Sequence, residues 1–305
     1  MVQISAPGFR EKQLIPEPYW TADRVSVTEQ RKATHWYSGQ ILALLAASLL
    51  GIPDWHAGSI DLSPMLSIAA FLVAGYYWDR LRAETPQSVW FESRAAAEAI
   101  KGLVWRYVVR ARPFEGPAES EEADEQFLDR LSEVFETYRS VGVIPKNTQP
   151  AITSEMRRLR AGSLVTRREL YLQERLRAQR VWYLGKADAF DNKSTFWSLM
   201  TLVAIVFGLT AAGLQTAGAV HTHVLGTLAT AGAAITAWTQ LKQFRPLAAA
   251  YRLVAKELEQ VEIQLERLNP AEPDAEELWS RLSRESESTL AKEQAVWRSR
   301  SDRRI

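Results

Sequence analysis

The chain has no cysteine among its 305 residues. That absence excludes a disulfide framework, cysteine-ligated zinc and a thiol nucleophile. Charge of one sign is also missing in excess: 37 basic against 36 acidic residues leave +1 overall. Such balance provides no basic field to hold a nucleic acid, so no nucleic-acid partner is expected. No Walker A loop, dinucleotide fingerprint, HExxH or GxSxG occurs. Glycines outside the apolar windows and their connections stand singly, with no cluster to cradle a phosphate. Carboxylates and basic residues are plentiful, but at spacings that suit solvated faces and local ion pairs. The chain is therefore expected not to be an enzyme and to need no cofactor. The first twenty residues lack an apolar core followed by a small-residue cleavage site, so they do not read as a signal peptide.

The most telling absence is local. The mean hydropathy of −0.20 looks soluble, but it averages two unlike populations. Lys, Arg, Asp and Glu vanish from windows at Trp36–Ile52, Leu62–Trp78, Phe196–Leu214 and His223–Leu241. Each is close to the ~20 residues that cross ~30 Å of hydrocarbon as a helix. The first two are slightly short, and the fourth is only moderately apolar. The expectation is an all-α membrane protein with two transmembrane hairpins, four spans in all, and long cytoplasmic helices. The competing account is two buried helical hairpins in a soluble protein.

The flanks favour a membrane. The connections PDWHAGSID and QTAGAVHTH contain no Lys or Arg. The opposite ends carry Arg24, Arg31, Lys32, Arg80, Arg82, Arg180, Lys186, Lys193, Lys242, Arg245 and Arg252. By the positive-inside bias, both termini and the central segment lie in the cytoplasm, and the spans cross the inner membrane. Trp36, Tyr37, Tyr77, Trp78, Trp197 and Trp238 would anchor the cytoplasmic interface, with Trp55 at the far one.

Small residues recur along the spans. Gly39, Ala43, Ala47 and Gly51 repeat at every fourth position, as do Thr222, Gly226, Thr230 and Ala234. Ser198, Thr201, Gly208, Ala212 and Gln215 share a face of the third span. Ser198, Thr201, Gly208, Thr222, Gly226 and Thr230 are the candidate stripe, either lining a water-filled path after oligomerisation or packing helices within one protomer. No charge within the spans marks a proton relay, which argues against a proton-coupled transporter. His221 and His223 read as exposed loop residues; a metal site would need Asp54, His56 or Asp61 from the other hairpin.

Beyond the fourth span, Arg245-Pro246 breaks the helix. Leu247, Tyr251, Val254, Leu258, Val261, Leu265 and Leu268 then alternate steps of four and three, the pattern of a coiled-coil seam. It is a candidate oligomer seam, or equally a face packed inside the protomer. Asn269-Pro270 ends it, and Asp274 is placed to cap another polar helix. The basic tail RSRSDRRI either touches lipid headgroups or is solvated. In the central region, Phe127, Leu131, Val134, Phe135, Tyr138 and Val141 mark an amphipathic helix. Thr153 or Ser154 is placed to cap a short basic one. The stretch from Val165 is expected to run unbroken into the third span, with Tyr171, Arg175, Gln179 and Tyr183 on one face, a row suited to contacting a ligand or, more commonly, to a helix–helix interface edged with polar groups. Trp36-Tyr37-Ser38-Gly39 and Trp182-Tyr183-Leu184-Gly185 form a weak internal echo.

Three stretches carry a family resemblance: RAAAEAIKGLVWRY (Arg94–Tyr107) followed by ARPF (Ala111–Phe114), YLQERLRAQRVWYLGK (Tyr171–Lys186), and YRLVAKEL (Tyr251–Leu258). The arrangement resembles the SLATT superfamily, the SMODS- and SLOG-associating two-transmembrane effectors of prokaryotic conflict systems. Two modules in tandem are implied: an extension over residues 1–20, a first module over 21–145 and a second over 146–305. The resemblance implies an antiviral effector that oligomerises and permeabilises the membrane, with a nucleotide second messenger or a cytoplasmic sensor protein as partner. It brings no catalytic residues, and no sensor domain is recognisable. Arg94, Lys101, Arg106, Arg110 and Arg112 are candidate contacts to a phosphate-bearing signal or to headgroups, or else they pair with nearby Glu. A non-conducting scaffold that recruits a partner through its helices is the alternative, and a constitutive small-solute channel is a third.

Overall fold

The computed structural model describes residues 13–52, 55–57, 60–141, 150–219 and 224–302. The described chain is almost wholly helical. The order is α1 (Glu17–Leu50), a two-stranded antiparallel pair β1 (His56–Ala57) and β2 (Ile60–Asp61), α2 (Leu62–Glu84), α3 (Pro86–Val108), α4 (Glu121–Thr137) and α5 (Ser154–Arg160). Then come α6 (Leu164–Leu170), a π-helical segment (Tyr171–Arg177), α7 (Ala178–Thr216), α8 (Val224–Lys242), α9 (Phe244–Glu266) and α10 (Ala275–Asp302). Elements α6 to α7 form one uninterrupted helix, Leu164–Thr216.

Several boundaries follow from local chemistry. Thr153 caps α5, its hydroxyl accepting from the Met156 amide at 3.1 Å. Ser120 and Ser163 cap α4 and α6 in the same way, each satisfying an amide that the first turn leaves unpaired. Asp61 caps α2 by accepting from Ser63 N at 3.0 Å. Between α8 and α9, Gln243 takes a left-handed φ of 47°. Pro246 falls in the first turn of α9, where its missing N–H costs nothing.

The chain divides into two compact units. The first comprises residues up to Gln30, Gln87–Lys186 and everything from Ala250. Its core is aromatic and fully enclosed, built around Trp105, Tyr107, Phe114, Phe127, Tyr171 and Trp279. Ala96, Ala97, Ile100, Leu103 and Val104 of α3 are all buried, so that helix runs through the middle of the unit. The expected seam is largely spent here: Tyr251, Val254, Leu258, Leu265 and Leu268 are buried within the protomer, and Val261 is half-buried. Arg177 pairs with Glu262 and Glu266, and Arg180 meets Glu259 at 3.1 Å, tying α9 along α7 and the π segment.

The second unit comprises Arg31–Pro86 and Ala187–Ala249. Here the pattern inverts, and large apolar side chains face outward. Leu72 is 70% exposed, Leu209 69%, Leu42 63% and Phe207 61%, and Ile68, Phe71, Leu199, Leu202, Ile205 and Val206 are exposed as well. Inside, small residues allow close approach: a Cβ at Gly39 would lie 2.6 Å from the Tyr77 ring, so only glycine lets Tyr77 pack against α1. Ala43 and Ala47 continue that contact as buried residues. Ser67 Oγ donates to Ala47 O at 3.0 Å, and Ser48 and Thr227 hydroxyls meet at 3.2 Å. One helix, Leu164–Thr216, is long and apolar enough to cross a membrane, with an 18-residue window of mean hydropathy 1.9, none of it buried. The other windows are diluted by Gly, Ser, Thr, Gln and aromatic residues and do not reach that standard among the described residues.

Candidate functional site

The helical unit concentrates its polar chemistry in two buried places. The first is the end of α3. A helix C-terminus leaves carbonyls unpaired and carries partial negative charge. After α3 the chain turns sharply, with Arg110 at φ 56°, and the turn keeps its carbonyls inside the protein. Arg160 answers them, its Nη1 donating to Tyr107 O (2.7 Å) and Phe114 O (2.9 Å) and its Nη2 to Pro117 O (3.3 Å). Val109 O accepts from Arg167 Nη1 (2.9 Å) and from the Trp279 indole (2.7 Å). Arg160 also lies over the Tyr107 ring, 4.7 Å from its centroid. Burial pushes the Arg160 guanidinium down to about 10, far enough above neutrality that it stays charged.

Tyr107 itself donates to Asp124 Oδ1 at 2.5 Å, and Asp124 also holds Arg157 at 2.6 Å. Burial first, then the bond to Asp124, pushes the Tyr107 phenol up to about 12. In an unfolded chain the phenol ionises near 10. A raised folded-state value contributes stability that is complete below about pH 10 and is lost as pH climbs toward 12. Tyr107→Phe should therefore unfold with a shallower loss of stability across that window. Urea titrations followed by tryptophan emission at successive alkaline pH values measure it, and identical slopes in the two proteins would refute the assignment.

The second place is the π-helical segment. Its wide turn, in which Ala178 N–H reaches Gln173 O, is a form often found where a helix is bent to a task. Arg175 grips Glu287 of α10 with both arms, Nε to Oε1 at 3.0 Å and Nη2 to Oε2 at 2.9 Å. The Tyr171 hydroxyl donates to Glu287 Oε1 (2.8 Å) and meets Ser286 Oγ at 2.9 Å. Trp105 and Trp279 present edges to the Tyr171 ring, each with centroids 5.9 Å away. Both charged side chains are 3% exposed. Burial alone would lower Arg175, but the charge and hydrogen bonds of Glu287 more than offset it and hold the guanidinium above its usual range. Burial, reinforced by Glu287, raises Tyr171 well above an ordinary phenol.

The five basic residues expected to meet an anion are dispersed. Arg94 pairs with Glu98 at 3.3 Å, and Lys101 is 2% exposed. Arg110 donates to Arg160 O at 3.0 Å, and Arg112 is shared between Glu115 (2.6 Å) and Glu277 (3.3 Å). Only Arg106 is left half-buried without a hydrogen bond or ion pair among the described residues. Of the small-residue stripe, Ser198 and Gly226 are exposed and Thr201, Gly208 and Thr230 half-exposed. A Cβ at Gly208 or Gly226 would meet nothing within 4 Å. Thr201 and Thr230 hydroxyls bond their own helix, to Trp197 O and Gly226 O at 2.9 Å each. Thr222, like His221, His223 and Asp54, lies outside the described residues. In the seam, Leu247 is half-buried.

Sequence reasoning singled out Tyr171 and Arg175 but missed Glu287, Arg160, Arg167 and Trp279. A signal was present for α10: Trp279, Ser283, Ser286, Glu287 and Leu290 share one helical face, and all are buried. A polar stripe at that spacing is indistinguishable from a solvated one until its partner is known.

Residues 16–168 match SMODS and SLOG-associating 2TM effector domain 3, and residues 171–297 match SMODS and SLOG-associating 2TM effector domain 1. The chain belongs to the SLATT superfamily. No curated protein and no solved structure matches it. The first match ends at residue 168 and the second begins at Tyr171, the first residue of the π-helical segment, both inside a continuous helix. Each SLATT module contributes one hairpin to the apolar-faced unit, and both build the helical unit. The Trp-Tyr echo does not mark equivalent roles: Gly39 receives Tyr77, whereas a Cβ at Gly185 would meet nothing.

Proposed function

We propose that this tandem SLATT protein is a membrane effector of a prokaryotic antiviral conflict system. Its hairpins insert as four spans with both termini cytoplasmic. On a nucleotide-type cytoplasmic signal, protomers associate and permeabilise the inner membrane. The observation that carries this reading is the outward apolar surface of the second unit, contributed by all four hairpin helices. In water that surface would be an aggregation hazard; in hydrocarbon it is solvated. Cation–aromatic pairs support the orientation. Lys32 over Trp36, Arg80 over Tyr76, Arg82 over Trp78 and Lys242 over Trp238 all sit at the positively flanked ends of these helices. The description of each matched domain as a two-transmembrane effector agrees with two spans per module.

The signal must bind the assembled state more tightly than the resting one; moving 1:99 to 99:1 takes about 10⁴-fold discrimination. Association through the α9 seam would require opening a packed face, so the apolar spans are the better contact. Purified protein reconstituted into dye-loaded liposomes should release dye when candidate nucleotides are added. Protein that inserts but neither leaks dye nor conducts, with or without nucleotides, eliminates the pore reading. The scaffold reading then stands, and the exposed Leu253 and Ile263 of α9 are its natural recruiting residues.

A further inference from the structure

Arg106 differs from every other basic residue on α3. Three contacts locate it. Helices α3 and α10 run antiparallel: a Cβ at Gly102 would stand 3.2 Å from Glu287 Oε2, the Trp279 indole reaches Val109 O at 2.7 Å, and Arg112 meets Glu277 at 3.3 Å. Midway between the first two contacts, residue 106 lies level with the turn of α10 that carries Arg284. On its other side, Tyr107 packs on Phe127 of α4 with ring centroids 5.1 Å apart, and Arg130 lies one turn beyond Phe127. Residues 106, 130 and 284 therefore lie on neighbouring turns of three helices of one unit, and the charges of Arg130 and Arg284 both act on Arg106.

Their partners are few. Arg284 is exposed, and no carboxylate pairs with it or with Arg106 among the described residues. Arg130 meets Glu133 at 3.2 Å, but both are more than half exposed, and such a pair holds weakly against a competing anion. Glu287, the nearest buried carboxylate, already has both oxygens committed to Arg175 and Tyr171. Burial, partly countered by Glu287, and then the charges of Arg130 and Arg284 push Arg106 below its ordinary range. Like charges held together in a half-buried place are a cost that a counter-ion removes. Guanidinium forks match the oxygens of a phosphate, two bonds at a time.

We propose that Arg106, Arg130 and Arg284 form a binding site for a phosphate-bearing anion on the helical unit. As the place where a signal enters, the site rests on the membrane-effector reading; as an anion site it does not. The phosphate comes either from a free ligand or from a lipid headgroup, and the test separates the two. Detergent-solubilised full-length protein is titrated calorimetrically with inorganic pyrophosphate, and separately with dihexanoyl phosphatidic acid, a lipid short enough to dissolve. Each lost arginine should weaken binding by about tenfold or more, in Arg106→Ala, Arg130→Ala and Arg284→Ala alike, and added salt should weaken it further. Arg267→Ala, exposed on the loop after α9, should leave it unchanged. Binding of pyrophosphate with this arginine dependence identifies a free phosphate; binding of the lipid alone, with the same dependence, identifies a headgroup. If neither ligand binds more tightly to the native protein than to the variants, the site does not exist. Arg284→Ala changes an exposed side chain and carries the test should Arg106→Ala fail to fold. Because calorimetry needs no conductance, a failed pore and a failed site give different results.

Discussion

Arg175→Ala should lower the unfolding free energy of the helical unit by about 3–5 kcal/mol, the usual result of breaking a buried ion pair from one side. The size follows from what is left behind. Glu287 would keep its charge with no cation hydrogen-bonded to it, in a place where it is 3% exposed. The Tyr171 hydroxyl could satisfy one of its oxygens, as it does now at 2.8 Å, but not the other. Replacing both members, Arg175→Met with Glu287→Leu, removes the buried charge altogether and should recover most of the loss. Trp105 and Trp279 flank Tyr171, so the cluster contributes to the tryptophan emission that follows urea unfolding. A single variant within about 1 kcal/mol of the native protein would show that water reaches Glu287 and that the pair is not enclosed.

Arg160→Ala is the second large effect expected, at about 3 kcal/mol or more, because it orphans buried carbonyls rather than merely deleting a contact. Tyr107 O, Phe114 O and Pro117 O all depend on its fork. Arg160→Lys gathers its donors on one nitrogen, whereas the guanidinium reaches these acceptors from two, and should restore less than half of the loss. Arg158→Ala provides the contrast: that guanidinium is 65% exposed, pairs with Glu155 beside it, and should change stability by about 0.5 kcal/mol or less. Combining Arg160→Ala with Arg167→Ala should cost less than the two losses added, since both arginines hold the same turn. Thermal melts of the native protein, the four single variants and the double variant measure this. Equal losses in Arg158→Ala and Arg160→Ala would overturn the account of the α3 terminus.

Local chemistry made several elements readable. Thr153 capping α5 and the unbroken helix through residue 216 depend on neighbours within a few positions, whereas the break expected at Arg245-Pro246 falls at Gln243, with Pro246 in the first turn of α9. Periodicity was a poorer guide to partners. The run from Leu247 to Leu268 has the spacing of a coiled coil, but that spacing only says one face is apolar. Tyr251, Val254, Leu258 and Leu265 bury that face inside their own protomer. Small residues behaved unevenly for the same reason: Gly39 is required by the Tyr77 ring, whereas Gly208 and Gly226 abut nothing.

Composition and pattern were enough to establish the helical class, the apolar hairpins, the Thr153 cap and the family, because each rests on residues close in the chain. Which charges are buried depended on tertiary structure. Arg175 and Glu287 stand 112 positions apart, and each, read alone, belongs to a helix rich in solvated charge. The π turn adds a second reason, since it alters the 3.6-residue period by which a face is read. The same holds for Arg106: five basic residues along α3 and its following turn looked alike, and only the packing of α4 and α10 around them left one without a hydrogen bond or ion pair among the described residues.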